Sequence, residues 1–259
     1  MNSRILSVPR RAALGGNVNH RQQIAENTMK NSTLLLAASS ALVSSLAVAS
    51  AQDSSWDVSG NVAFTSDYRF RGVSLSDNSF AVQGGFDAAH ASGFYAGTWA
   101  SSLDGDSGVP TELDLYAGYG WTTADGVSFD IGLLGYFYPD AAPDDFDYYE
   151  PYASVGTTIG GADLGLGVAY APEQNALDDD NIYFYSSADF ALSPAVGLSL
   201  GLGYEDGPFG DEKLDYSVGV GTSASGLDVS VAFIGFTQED DDGFEGSDET
   251  VVLTVGKSL

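Results

Sequence analysis

The sequence predicts an all-β fold: a transmembrane, up-and-down antiparallel barrel of about twelve strands, with short periplasmic turns and longer acidic extracellular loops. Three observations carry the expectation. Apolar and polar residues alternate with a period of two through segments of about ten residues. The connections are sorted by strand parity into short and long. An export signal precedes a stretch that has no apolar run of 18 residues.

The signal comes first along the chain. Residues 1–28 carry no usable pattern, and Met29 is an alternative start to Met1. From Met29, one lysine is followed by an apolar core, Leu34 to Val48, and then Ala49-Ser50-Ala51. That order is a secretory signal peptide with an A-x-A cleavage site. Residues 1–51 are therefore an N-terminal extension plus cleaved signal (29–51), and 52–259 form one barrel domain. This domain holds four Lys/Arg against 35 Asp/Glu, a formal charge of −31. Such a surface repels nucleic acid, which is excluded as a partner. The absence of cysteine excludes disulfides and thiolate chemistry.

The expected strands are 56–70, 79–89, 93–103, 112–122, 126–138, 148–159, 162–171, 181–191, 195–205, 213–223, 227–237 and 249–259. In the first, Trp56, Val58, Val62 and Phe64 share a face opposite Asp57, Ser59, Asn61, Thr65 and Asp67. Leu113, Leu115, Tyr119 and Trp121 stand opposite Glu112 and Asp114; Phe129, Ile131 and Leu133 stand opposite Ser128 and Asp130. Leu164, Leu166, Val168 and Tyr170 alternate with glycines, as do Leu198, Leu200, Leu202 and Tyr204 with Gly197, Gly201 and Gly203. "FYAGTWASS" is apolar on both parities, so its phase is open.

Connections after even strands are short, such as "TADG" and "ASG"; those after odd strands are long, such as "PDAAPDDFD" and "EDDDGFEGSD". A membrane barrel sorts its loops this way; a soluble sandwich has no reason to. With lipid outside, the apolar stripe faces out and the polar stripe lines the lumen. Tyr68, Phe70, Tyr136, Tyr138, Tyr148, Tyr149, Tyr183, Tyr204 and Phe236 gather toward the long loops, and Trp56, Trp121 and Phe190 toward the short turns. They are expected to form two interfacial girdles. The chain ends inside its last strand, in the manner of the signal read by barrel-assembly machinery, though with Leu259 in place of an aromatic.

The segments "SDYRFRGVSLS", "AVQGGFD", "GFYAGTWASS" and "GKSL" resemble the TorF porin family across the whole of 52–259. The resemblance implies an outer-membrane barrel of a Gram-negative bacterium with a pore function. It implies no catalytic residues and no particular solute.

On the parity of the first strand, Asp67, Arg69 and Arg71 point inward, while Tyr68 and Phe70 face the outer interface. Asp87, Glu112, Asp114, Asp130, Glu150, Asp189 and Asp215 also fall on the inward parity. Two guanidiniums in such a wall can each bridge two carboxylates, a charge clasp across the lumen. The same arrangement is a cationic spot in an acidic constriction. Inward glycines (Gly165, Gly167, Gly197, Gly201, Gly203, Gly219 and Gly221) are expected to leave the lumen partly unfilled.

Enzymatic readings find little support. His90 is the one histidine of the 52–259 domain and lies beside a short turn, away from any carboxylate-rich outer loop. No cofactor is expected. Asp178, Asp179, Asp180, Asp240, Asp241 and Asp242 offer oxygen ligands for loosely held divalent cations at the outer rim, bridging to lipopolysaccharide. Solvated acidic loops are the simpler account. The expected function is a passive, narrow, cation-preferring channel for small hydrophilic solutes. The alternatives are a plugged structural or binding barrel, and a secreted β-sandwich. Oligomeric state is not legible.

Overall fold

A computed structural model describes residues 55–104, 108–139, 141, 146–174, 176–239 and 245–259. Twelve antiparallel strands close into one barrel: β1 (Trp56–Thr65), β4 (Ala81–His90), β5 (Phe94–Ser102), β6 (Thr111–Thr122), β7 (Ser128–Phe137), β8 (Tyr148–Ile159), β9 (Ala162–Ala171), β10 (Asn181–Ser193), β11 (Val196–Asp206), β12 (Lys213–Ala224), β13 (Leu227–Glu239) and β14 (Glu245–Ser258). Two further short strands, β2 (Arg69–Phe70) and β3 (Val73–Ser74), pair with each other between β1 and β4. Each barrel strand pairs with its neighbours in sequence, and β14 returns to β1 with Asn61 opposite Ser258 and Thr65 opposite Thr254. Strands of about ten residues, rising about 3.3 Å each and tilted, match an apolar band about 25 Å tall.

The alternation decides the faces. Val58, Phe64, Phe86, Leu166, Leu202, Val231 and Val251 are exposed on the outside. The inward parity carries Ser, Gly, Tyr and acids. Trp99 of β5 is buried while Phe94 is exposed, which fixes the phase that sequence left open. No helix among the described residues is long and apolar enough to cross a membrane; strands are the crossing elements.

At the short-turn end, Phe94, Tyr119, Trp121 and Phe129 form a continuous chain of ring contacts on the outside, and Trp56 rests on His90. The expected girdle of aromatics at the long-loop end is largely overturned. Tyr149 and Tyr204 do face out, joined by Tyr170 and Phe184. Tyr68, Phe70, Tyr136, Tyr138, Tyr148 and Tyr183 are instead buried in the lumen, and Phe236 turns inward, its Cβ 2.7 Å from where a Cβ on Gly72 would stand. Tyr136, Tyr148 and Tyr183 lie on the inward parity of their strands, where packing with buried partners wins over the interface.

The expected first strand is also too long. It stops at Thr65, and the chain bends at Ser66–Asp67 into the lumen. Tyr68 and Phe70 thereby leave the outer interface.

The core sits inside the barrel, in its long-loop half. Tyr68, Phe70, Trp99, Tyr116, Leu134, Tyr136, Tyr148, Tyr152, Tyr183, Tyr185 and Phe209 pack there as one cluster. Two of the inward glycines, Gly167 and Gly203, do not leave the volume that their small size suggests. The Tyr185 ring lies over Gly167, and Tyr183 with the Asp215 carboxylate lies over Gly203. Tyr116, Tyr95 and Tyr152 cover Gly97, Gly118 and Gly132 in the same way. A bare backbone at these positions is what lets a ring lie flat on the wall.

Candidate functional site: a hairpin clasped across the lumen

The hairpin β2–β3 turns through Arg71 and Gly72, with φ of 44° and 86°. Two successive positive φ values make the tight turn matching a hairpin's twist, a turn that favours Asn-Gly or Gly-Gly. Gly72 suits it, and the wall also demands glycine there, since a Cβ would stand 2.9 Å from the Gly235 carbonyl oxygen. Arginine in the left-handed region costs about 1–2 kcal/mol, so its contacts must offset that cost.

Those contacts cross the barrel. The Arg71 guanidinium donates to Glu150 on β8 at 2.7 Å and to Glu205 on β11. Its carbon lies 4.0 Å from the Tyr183 ring centroid and 4.9 Å from that of Phe70. Tyr136 donates to the second Glu150 oxygen at 3.1 Å. Asn181 donates to Glu205 at 3.1 Å, and Lys213 forms an ion pair with the same carboxylate. Arg71 is 1% exposed, Lys213 1%, and both glutamates 0%, so water cannot screen the cluster.

Arg69 shapes the hairpin. Its guanidinium pairs with Asp67 and with Asp248 on β14, and donates to the Gly72 carbonyl at 3.0 Å and to Asn78 at 2.6 Å. Asp67 also accepts from Ser74 at 2.6 Å and Ser76 at 3.0 Å. Tyr68 donates to Glu112 on β6 at 2.9 Å. Rooted beside β14, the hairpin thus reaches β6, β8 and β11, more than halfway round the wall.

The ten residues expected along the lumen separate into three groups. Asp67, Arg69, Arg71 and Glu150 belong to the hairpin and its clasp, and Asp215 borders it, accepting from Tyr183 at 3.2 Å. Glu112 and Asp114 are buried on β6 beside Tyr68. Asp87, Asp130 and Asp189 lie deeper, toward the short turns, each accepting from one hydroxyl, that of Tyr116, Tyr95 and Ser199 respectively. They do not join the clasp. Sequence reading missed Glu205, Lys213, Asn181, Tyr136, Tyr183 and Asp248. Lys213 was legible, because it shares a parity with Asp215.

His90 shares a hydrogen bond with Ser92 in its turn, at 2.6 Å. In the loops, Asp180 accepts from Tyr170 at 2.6 Å and from the Glu173 N–H at 2.7 Å, and these bonds hold its carboxyl below the usual carboxylate range. Asp179 accepts from the Asp180 N–H at 2.8 Å. Asp178, Asp179 and Asp180 form no metal-ligating group among the described residues. Asp240, Asp241 and Asp242 lie outside those residues.

The geometry can be set beside known proteins. No curated protein is similar in sequence. Among solved structures, the KdgM porin superposes with a TM-score of 0.53 at 12% identity, over 78% of this chain and 98% of that one. The same porin in complex with disordered oligogalacturonate gives 0.52 at 11%, over the same shares. The COG4313 outer membrane channel from Pseudomonas putida F1 gives 0.50 at 10%, over 78% and 95%. At these identities the likeness is one of fold: an outer-membrane-type barrel. Residues 49–259 match the family described as "Bacterial protein of unknown function (Gcw_chp)", and the chain belongs to that family.

Proposed function

We propose that this chain is an outer-membrane channel for small hydrophilic solutes, narrow and cation-preferring, that its own first long loop closes. One observation carries the reading. The closing element is a hairpin hinged beside one strand and tied to the far wall through ion pairs, so the block is separable from the barrel that it blocks. Behind it, toward the short turns, the inward face carries the half-buried carboxylates Asp87, Asp163, Asp189 and Asp228 and the buried Asp130 among Ser and Gly, with no inward Lys or Arg there among the described residues. Such a wall favours cations. It does not suit a polyanion, so the oligogalacturonate of the KdgM complex is not carried over to this chain.

The TorF resemblance, the export signal and the barrel likeness all support placement in the outer membrane of a Gram-negative bacterium. Insertion by barrel-assembly machinery, and acidic loops bridged loosely to lipopolysaccharide by divalent cations, belong to the same proposal. A chain without cysteine, whose one histidine beyond residue 51 lies beside a short turn, supports a channel over an enzyme.

A second reading rests on the tyrosines that fill the lumen: a structural barrel that never opens. Liposome swelling separates the two. Under the channel reading, vesicles carrying Glu150→Gln swell faster than wild type in small neutral and cationic solutes, and anionic ones enter slowest. Indifference of swelling to that change, in folded protein, leaves the structural reading.

A further inference from the structure

Arg71 occupies a compartment that the barrel wall supplies almost entirely: Glu150, Glu205, Tyr136 and Tyr183, with Phe70 from the hairpin itself. Two carboxylates from different strands accept from the two ends of one guanidinium, and an aromatic ring lies 4.0 Å from its carbon. This set recognises a guanidinium specifically, through charge, planar donors and a π face together. The occupant, however, fits imperfectly. The Arg71 Nε–H is buried with no acceptor among the described residues, and the Asp215 oxygen that Tyr183 does not reach is buried with no donor among them. A tethered guanidinium at a left-handed turn cannot reorient to satisfy them; a free one can.

We infer that the Glu150–Glu205–Tyr183 compartment is the solute-binding site of the barrel, selective for small guanidinium cations, with Arg71 as a tethered occupant that the solute displaces. The inference rests on the channel reading for its role in passage, although binding itself can be measured without it. With Arg71 withdrawn, Lys213, paired with Glu205, is the one cation of the cluster left against the charges of Glu150, Glu205 and Asp215 among the described residues, and the buried excess of negative charge must take up a cation or a proton. Displacement also explains how a hairpin held by ion pairs is released: the incoming cation replaces the very group that holds it.

The probe is methylguanidinium, with tetramethylammonium as a cation that can use the ring but donates no hydrogen bonds. Because Arg71 competes from within, its removal raises apparent affinity by the reciprocal of the time the site stands vacant, on the order of 10- to 100-fold. Calorimetry should show Arg71→Ala binding methylguanidinium that much more tightly than wild type, and the Arg71→Ala/Glu150→Gln pair losing the gain. In the wild-type barrel, methylguanidinium should speed hydrogen exchange over 66–80, and tetramethylammonium at equal concentration should not. Folded Arg71→Ala with no gain in affinity overturns the inference. So does a wild-type hairpin whose exchange ignores methylguanidinium, and that arm decides alone if Arg71→Ala does not fold. Binding without swelling in any variant removes the channel reading and keeps the site; swelling without guanidinium preference does the reverse.

Discussion

Glu205→Gln is the sharpest perturbation of the clasp. Glu205 is 0% exposed, accepts from Arg71 and Asn181, and forms an ion pair with Lys213. Glutamine keeps the shape and one acceptor, but it turns a donor toward the Lys213 ammonium and removes the charge that two buried cations share. Each charged hydrogen bond lost is worth about 1.5–3 kcal/mol, which brackets the loss at about 3–6 kcal/mol. Breaking a buried ion pair by removing one partner costs about 3–5 kcal/mol by an independent route. The expectation is therefore about 4 kcal/mol. Urea unfolding from lipid vesicles, followed by tryptophan fluorescence, measures it as a fall in midpoint at constant slope. Asp189→Asn is the internal control: Asp189 accepts from a neutral serine, so its loss should stay near 1 kcal/mol. If the two variants are equally stable, the clasp does not hold the lumen and the reasoning is wrong.

Other consequences are testable separately. Gly203→Ala puts a methyl group into Tyr183 and Asp215, so it should cost about 1–3 kcal/mol and speed exchange of the hairpin at 66–80. Arg69→Ala removes the links from Asp67 to Asp248 and to Asn78, and should loosen the same hairpin without disturbing the strand amides of β8 and β11. In brominated lipid, Trp56 and Trp121 should be quenched and the buried Trp99 should not; Trp99→Phe should leave unchanged the intensity that bromine removes, while lowering the intensity that remains. Asp180 titrates below its unfolded value, so its hold on the 172–180 loop is complete above an ordinary carboxylate pKa of about 4 and is lost as pH falls through its own lower value. Amide exchange in 173–180 should rise over that acidic window, and Asp180→Asn should abolish the dependence.

Much of the barrel was legible because its physics is local. Period-two alternation and turn chemistry fixed twelve strands, and 148–159 and 162–171 match β8 and β9 end to end. Tyr136, Tyr148 and Tyr183 were misplaced by judging them on distance from the loop; parity, already in hand from Asp130, Glu150 and Asp189 on the same three strands, puts them inside. The hairpin is different. A strand pattern extrapolated through "SDYRFRG" cannot reveal that Arg71 and Gly72 both take positive φ, because arginine is no turn signal. The turn is paid for by Glu150 and Glu205, 79 and 134 residues away, and such pairing is non-local by nature. Their identity as partners lay beyond any reading of segments one at a time.

Planar-bilayer conductance tests the central claim most directly, comparing wild type with a chain in which 68–75 is replaced by a short Gly-Ser linker. A loop-closed channel predicts small, infrequent steps for wild type and large, steady, cation-selective steps for the replaced chain, with the reversal potential under a KCl gradient giving the selectivity. Silence from both, in protein that inserts and migrates as a folded barrel, contradicts the account; so does full wild-type conductance that the replacement leaves unchanged.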